Sequence, residues 1–294
     1  MQSKSTERQP PLARNAYLTP MTEEFEWRNE QGLRIYAVDW HVARPQAVIG
    51  LIHGLGEHCR RYDHVAEFFN ERRVAMVGYD RQGFGRSEGR RGYAKRYRYY
   101  LDGVAELLVQ TQRRYPGVPT FLYGQSMGGQ LLLHYLIHRQ PNIAGAIVTS
   151  PHIAEAFRPN PLVVGVGMIM RRLLPTFTLD NQLDVTRLSR DPAVVDRYRN
   201  DPLNHSRLSS QTGIDLLERA RYLQHYSGGL PVPTLLLHGD ADGITSFADS
   251  QAFAERNVGN IDWRPLPGMY HELHNEPGAA TTLLLIFDWM MGRL

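Results

Sequence analysis

Five residues, Gly124-Gln125-Ser126-Met127-Gly128, restrict what this chain can fold into more than any other feature. An apolar run from Thr120 to Tyr123 leads into them, and the amphipathic stretch Met127 to His138 leads out. A strand must therefore reverse into a helix within a few residues, with a serine at the apex. Glycines two before and two after the serine remove side chains that would collide in so tight a turn. The turn exposes the Ser126 hydroxyl at a helix N-terminus, where the positive end of the helix dipole favours developing negative charge.

The flanking sequence repeats the strand–helix alternation. Arg34 to Trp40, Ala47 to Ile52, Val74 to Tyr79, Thr120 to Tyr123, Ala144 to Thr149, Thr234 to Leu237 and Asp262 to Leu266 read as strands. Helical spacing appears over Tyr62 to Glu71, Tyr97 to Arg114, Met127 to His138, Ser246 to Arg256 and Gly278 to Met291. The fold class expected is α/β, with a mostly parallel central sheet and helices on both faces. In such sheets the chemistry lies beyond the carboxyl ends of the strands, which makes His53, Asp80, Ser126, Ser150, Asp240 and Asp242 candidates. The alternation breaks between about His152 and Gln224, where no clear strand is seen. The expected organisation is a flexible arm over 1–20, a core formed by 21–151 with 226–294, and a mainly helical cap, or lid, over 152–225.

Charge and cysteine content exclude some classes. The net charge of +3 is small, and the single basic stretch, Arg86 to Arg98, reads as a solvated loop, so nucleic-acid binding is not expected. One cysteine, Cys59, allows no internal disulfide. The opening residues MQSKSTERQPPLARN lack the apolar core of a secretory leader. A cytoplasmic protein is expected, able to associate peripherally with a membrane. The run that comes closest to the roughly 18 apolar residues a span needs, Pro161 to Met170, is too short to span, but it can touch a lipid surface.

Three further segments complete a chemical set. His53-Gly54-Leu55-Gly56 ends a buried strand and can aim a backbone N–H at a carbonyl oxygen, so the amides of Leu55 and Met127 form a candidate oxyanion hole. His238-Gly239-Asp240-Ala241-Asp242 supplies an acid, with Asp242 favoured over Asp240 because the later residue lies further along the loop. Tyr270-His271-Glu272-Leu273-His274 supplies a base, with His271 favoured over His274. The order Ser, Asp, His suits serine catalysis on this fold, in which histidine takes the hydroxyl proton and aspartate fixes the imidazole tautomer. His134 and His138 are spaced i, i+4 but lack the intervening glutamate of a zinc-peptidase helix, and they read as helix-surface residues. No metal or cofactor is required.

At HGLGEHCRRYDHV (53–65), DRQGFGRSEG (80–89), YGQSMGGQ (123–130), HGDADGIT (238–245) and YHELHNE (270–276) the chain resembles the monoacylglycerol lipase and lysophospholipase family of α/β-hydrolases. The resemblance spans about residues 22 to 292. It implies a catalytic triad of Ser126, Asp242 and His271, oxyanion donors at Leu55 and Met127, and a polar pocket for glycerol built from Glu57, Arg61 and His274. A salt bridge anchoring the loop is the other reading of Glu57 and Arg61. Gln125 departs from the family's usual histidine, and Cys59 stands where a serine or another small residue is common. The implied substrate is a small lipid ester, a monoacylglycerol or lysophospholipid, with other acyl esters or thioesters as the alternative. Transient membrane contact would come through the cap. The sequence leaves oligomeric state and acyl-length preference open.

Overall fold

The computed structural model describes residues 21–157 and 160–294. The expected N-terminal arm over 1–20 lies outside them. Strands β1 (Met21–Arg28) and β2 (Arg34–His41) form a hairpin, followed by β3 (Ala47–Ile52), α1 (Asp63–Asn70) and β4 (Val74–Tyr79). Helix α2 (Arg98–Arg114), β5 (Thr120–Gln125), α3 (Met127–Arg139) and β6 (Gly145–Thr149) come next. After β6 the chain forms α4 (Pro161–Leu173), β7 (Thr178–Asp180), α5 (Pro192–Asn200), β8 (Arg207–Ser209) and α6 (Ser210–His225). It returns through β9 (Thr234–Gly239), α7 (Phe247–Arg256), β10 (Ile261–Leu266) and α8 (Ala279–Met291).

Eight strands form one sheet in the order β1-β2-β4-β3-β5-β6-β9-β10. The pairings from β4 to β10 are parallel, and those of β1 with β2 and β2 with β4 are antiparallel. The central strands β3, β4, β5, β6 and β9 are buried at every residue, as continuous apolar strands covered on both faces should be. Alternate side chains feed two cores. On one face Val65, Phe69, Ile286 and Trp289 of α1 and α8 meet Ile49, Leu51 and Tyr123. On the other face Val104, Leu107, Leu131 and Phe253 of α2, α3 and α7 meet Val48, Leu122 and Val148.

The structure corrects three expectations. Strand β1 is absent from the strands read in the sequence, because Glu23, Glu24 and Glu26 depress strand propensity. It is an edge strand in full register with β2, and its glutamates pair with Arg114, Arg60, Arg86 and Arg34. The stretch 152–225 does contain strands, since β7 and β8 pair as a short antiparallel ribbon. Three-residue strands carry too little periodicity to read from sequence. His134 is buried rather than on the helix surface, with Nε2 3.1 Å from the carbonyl of Arg219 on α6.

The segment between β6 and β9 packs over the loops that leave the carboxyl ends of β3 and β4. The amide of His205 donates to Gly56 O at 3.0 Å, and that of Ser209 to Gly92 O at 3.0 Å. Helix α4 contributes no buried residue, although it contains the apolar run Pro161 to Met170. Leu162, Val163, Val166, Met168, Ile169 and Leu173 are all exposed.

Candidate active site

Ser126 follows β5 with φ 55° and ψ −117°. A non-glycine residue enters such a region at a cost of about 1–3 kcal/mol and stays there only when its surroundings hold it. Here the Ser126 amide donates to Thr149 O, and its carbonyl accepts from the Gln130 and His152 amides. A Cβ on Gly128 would collide with the carbonyl oxygens of Ile52 and His53, so α3 can begin this close to the end of β3 only at a glycine.

The loop after β9 delivers Asp242, and the loop after β10 delivers His271. His271 Nδ1 lies 2.7 Å from Asp242 Oδ2. A carboxylate can only accept, so Nδ1 carries the proton, and in the neutral ring Nε2 is left as the free base. Asp240 is exposed and instead accepts from the Gly268 amide at 2.6 Å. The His271 loop is tied to the serine turn by Gln125, whose Nε2 donates to His271 O at 3.0 Å, while its Oε1 accepts from the Thr149 hydroxyl. Gln125 thus keeps the turn and the histidine loop in one frame.

Asp242 is more densely held than the sequence suggests. Oδ1 accepts the amides of Ile244 (2.7 Å) and Thr245 (3.1 Å). Oδ2 accepts from the Thr245 hydroxyl (2.9 Å) and from His238 Nε2 (2.9 Å) as well as from His271. Because His238 Nε2 must be the donor, its Nδ1 accepts, and the Ser250 hydroxyl at 2.8 Å donates to it. Burial pushes the Asp242 carboxyl upward, but the two histidines outweigh it and hold the group well below the usual carboxylate range. Burial pulls His271 down, and Asp242, helped by Glu272 and Glu57, more than reverses this, leaving its pKa raised. His238 stands in the motif that singles out Asp242, but only burial reveals its partner.

The loop after β3 approaches the serine closely. A Cβ built on Gly54 would lie 3.5 Å from Ser126 Cβ. Arg81, 1% exposed, donates from its two terminal nitrogens to the carbonyls of His53 and Gly54. A trans peptide is planar, so fixing Gly54 O toward Arg81 turns the Leu55 N–H the opposite way. The amides of Leu55 and Met127 meet no protein acceptor among the described residues. Both are therefore available to an external oxygen.

Glu57 and Arg61 form a buried brace. Glu57 accepts from the Gly54 amide, the Tyr62 hydroxyl (2.9 Å) and Arg61. Arg61 also makes a bidentate pair with Glu272 at 2.6 and 2.8 Å. Burial works to raise the Glu272 carboxyl, yet Arg61 brings it down to about 2. Glu272, adjacent to His271 in sequence, escapes a reading of the sequence because its partner lies 211 positions away. His274 stacks on Tyr62, ring centroids 4.4 Å apart, and keeps both ring nitrogens unpartnered among the described residues. Burial holds it neutral, with its pKa at about 3. Cys59 is fully buried, and burial together with Asp80 pushes its thiol up, so it behaves as a packed residue.

A mostly parallel sheet carrying a serine on this turn, with an acid–imidazole pair on the loops after β9 and β10, defines an α/β-hydrolase of the serine type. A family model described as serine aminopeptidase, S33, matches residues 43–278, and the chain belongs to that family. The chain is 30% identical over 272 residues to the monoglyceride lipase of Rattus norvegicus, covering 90% of this chain and 89% of that protein. It is 35% identical over 257 residues to an uncharacterized abhydrolase domain-containing protein of Dictyostelium discoideum, covering 85% of this chain but only 27% of that protein. The chain thus spans about a quarter of the Dictyostelium protein's length. Among solved structures, the monoacylglycerol lipase of Paleococcus ferrophilus superposes with a TM-score of 0.80 at 28% identity, covering 88% of this chain and 99% of the other.

Proposed function

We propose that the chain is a carboxylester hydrolase that cleaves monoacylglycerols to fatty acid and glycerol through an acyl-enzyme. In this reading Ser126 attacks the ester carbonyl while His271 Nε2 accepts its proton. Asp242 holds the tautomer and stabilises the imidazolium. The oxyanion meets the amides of Leu55 and Met127. His271 then protonates the departing glycerol oxygen, and water repeats the sequence on the acyl-Ser126 ester. The observation that carries the reading is the 2.7 Å contact of His271 Nδ1 with Asp242, on a loop tethered by Gln125, the residue preceding Ser126.

The segment 152–225 serves as the cap, and its exposed apolar helix α4 is the part that meets a lipid surface. Of the three residues expected to bind glycerol, Glu57 and Arg61 are largely committed to the brace with Glu272. His274, buried and with both ring nitrogens unpartnered among the described residues, is the group best placed to meet a hydroxyl. The lipases among the chain's relatives support the substrate class.

The test is hydrolysis of a panel holding equal acyl chains on glycerol, lysophosphatidylcholine, coenzyme A and 4-nitrophenol, with the Ser126→Ala variant beside the wild type. The proposal expects monoacylglycerol to give the highest kcat/KM, and Ser126→Ala to lose all turnover while melting normally. A preference for the thioester or phospholipid would move the substrate class. Turnover by Ser126→Ala would remove the mechanism.

A further inference from the structure

Between β7 and α5 the residues Arg187 to Arg190 run alongside the loop that carries His271. Leu188 O accepts the Glu272 amide at 2.8 Å, and Arg187 O accepts the His271 amide at 3.4 Å. The Ser189 hydroxyl donates to Asn275 O at 2.8 Å. At the far end of the loop Glu276 takes the Arg190 amide on Oε1 at 2.6 Å and Arg190 Nε on Oε2 at 2.5 Å. The strip thus meets the loop at both ends, beginning at the backbone of His271 itself.

Local sequence seats the strip. Asp191 caps α5 by accepting the Ala193 amide at 2.9 Å, and Pro192 opens the helix. Val194, Val195 and Tyr198 of α5 are buried, as are Leu188 and Ser189. Arg190 therefore stands at a fixed place just before an anchored helix. The side chain of its partner Glu276 is fully buried, and the hydrogen bonds to that carboxylate among the described residues all come from Arg190. A buried carboxylate deprived of its cation is costly, so Glu276 sits where Arg190 holds it. The loop 271–276 has little regular structure to keep its own shape, since it contains only a three-residue 3-10 turn, Leu273–Asn275. Helix α4, in the same segment 152–225, buries none of its residues.

We propose that Arg190 is a positioning residue for His271: by fixing Glu276 it anchors the far end of the histidine loop and so keeps the imidazole against Asp242. The strip 187–190 then belongs to the frame of the His271–Asp242 pair, and α4 to the part of the segment that faces lipid. The effect on rate rests on the role of His271 proposed above; the effect on the position of its ring does not. Arg190 acts through the backbone of 271–276. The contact at stake is the 2.7 Å one between His271 Nδ1 and Asp242 Oδ2. A reacting group misplaced by about 1 Å can lose about a hundredfold in rate.

The test is an NMR titration of the His271 ring in the full chain, assigned by the signal lost in His271→Asn, for the wild type, Arg190→Ala and Arg190→Lys, with kinetics on a dissolved short-chain ester beside it. Asp242, with Glu272 and Glu57, raises the wild-type ring. Deleting a cation would by itself raise the ring further, whereas withdrawal from Asp242 lowers it, so the sign separates displacement from lost charge. In Arg190→Ala the midpoint should fall toward about 6.5, and kcat should drop roughly tenfold or more with KM within about twofold. Arg190→Lys, which can still pair with one carboxylate oxygen, should recover part of both. If Arg190→Ala fails to fold, Glu276→Gln decides, with the same direction and a smaller size expected. An unchanged or raised midpoint in the deciding variant, a loss confined to KM, or an equal loss in Arg190→Lys would overturn the proposal. Absence of ester turnover in the wild type would count against the hydrolase reading, and the ring midpoint would still decide whether Arg190 positions His271.

Discussion

His238 Nε2 lies 2.9 Å from Asp242 Oδ2, the same oxygen that His271 Nδ1 meets at 2.7 Å. One buried carboxylate oxygen thus serves two imidazoles. In the proposed mechanism His238 is a positioning residue: it touches Asp242, and through Asp242 it would set the geometry of His271. Removing a hydrogen bond to a charged group costs about 1.5–3 kcal/mol. His238→Ala should therefore lower kcat/KM by roughly ten- to a hundredfold. His238→Gln, which can still present an N–H, should recover part of the loss. Wild-type kinetics in the alanine variant would show that the contact has no influence on the base.

In the proposed mechanism the raised pKa of His271 sets the acid limb of the rate profile. Proton acceptance needs the neutral ring, so kcat/KM should rise with pH through a midpoint above the ordinary histidine value of about 6.5. The same shift adds folding stability that is complete below that ordinary value and is lost as pH rises through the higher folded-state pKa. Rates on a soluble ester across roughly pH 5 to 9 would give the midpoint, and one below that of free imidazole would contradict the assignment. Asp242→Asn should shift the midpoint downward.

The brace of Glu57, Arg61 and Glu272 predicts an acid sensitivity of its own. Glu272 is held at about 2, below its ordinary 4.5. Its contribution is present above the ordinary value and drains as pH falls toward the lower one. Glu272→Gln leaves Arg61 buried with only Glu57 and should cost about 3–5 kcal/mol in urea unfolding at neutral pH. Its stability should also vary less than the wild type's between roughly pH 5 and pH 3. Equal pH dependence in the two proteins would mean that the brace does not titrate with folding.

Two glycine substitutions should behave oppositely. Gly128→Ala drives a methyl group into the carbonyls that end β3, and soluble, active protein should not be recovered. A Cβ added at Gly165 in α4 would meet nothing within 4 Å, so Gly165→Ala should be neutral or stabilise the helix by about 0.5–1 kcal/mol. Thermal melts of both variants, with ester turnover as the second readout, would check the pair.

Helix α4 should govern partition onto lipid. Ile169 and Leu162 are 59% and 79% exposed. Ile169→Asp with Leu162→Asp should reduce sedimentation with phosphatidylcholine vesicles by roughly tenfold or more, leaving hydrolysis of a dissolved short-chain ester intact. Undiminished sedimentation would place the contact surface elsewhere.

Local patterns carried much of this protein in one dimension. Continuous apolar runs marked the buried parallel strands, because both of their faces are covered. The serine turn was legible because its glycines answer a clash between nearby backbone segments. The order of Ser126, Asp242 and His271 could be read because each stands just beyond a strand. Strand β1 was hidden by its glutamates, whose partners Arg60, Arg86 and Arg114 lie far along the chain. The sharing of Asp242 between His238 and His271, the Arg81 grip on the loop before Leu55, and the salt bridge from Arg61 to Glu272 were settled only when the chain closed. Each depends on burial and on contacts across many intervening residues, and hydrogen-bond strength follows from distance in space, which sequence spacing does not encode.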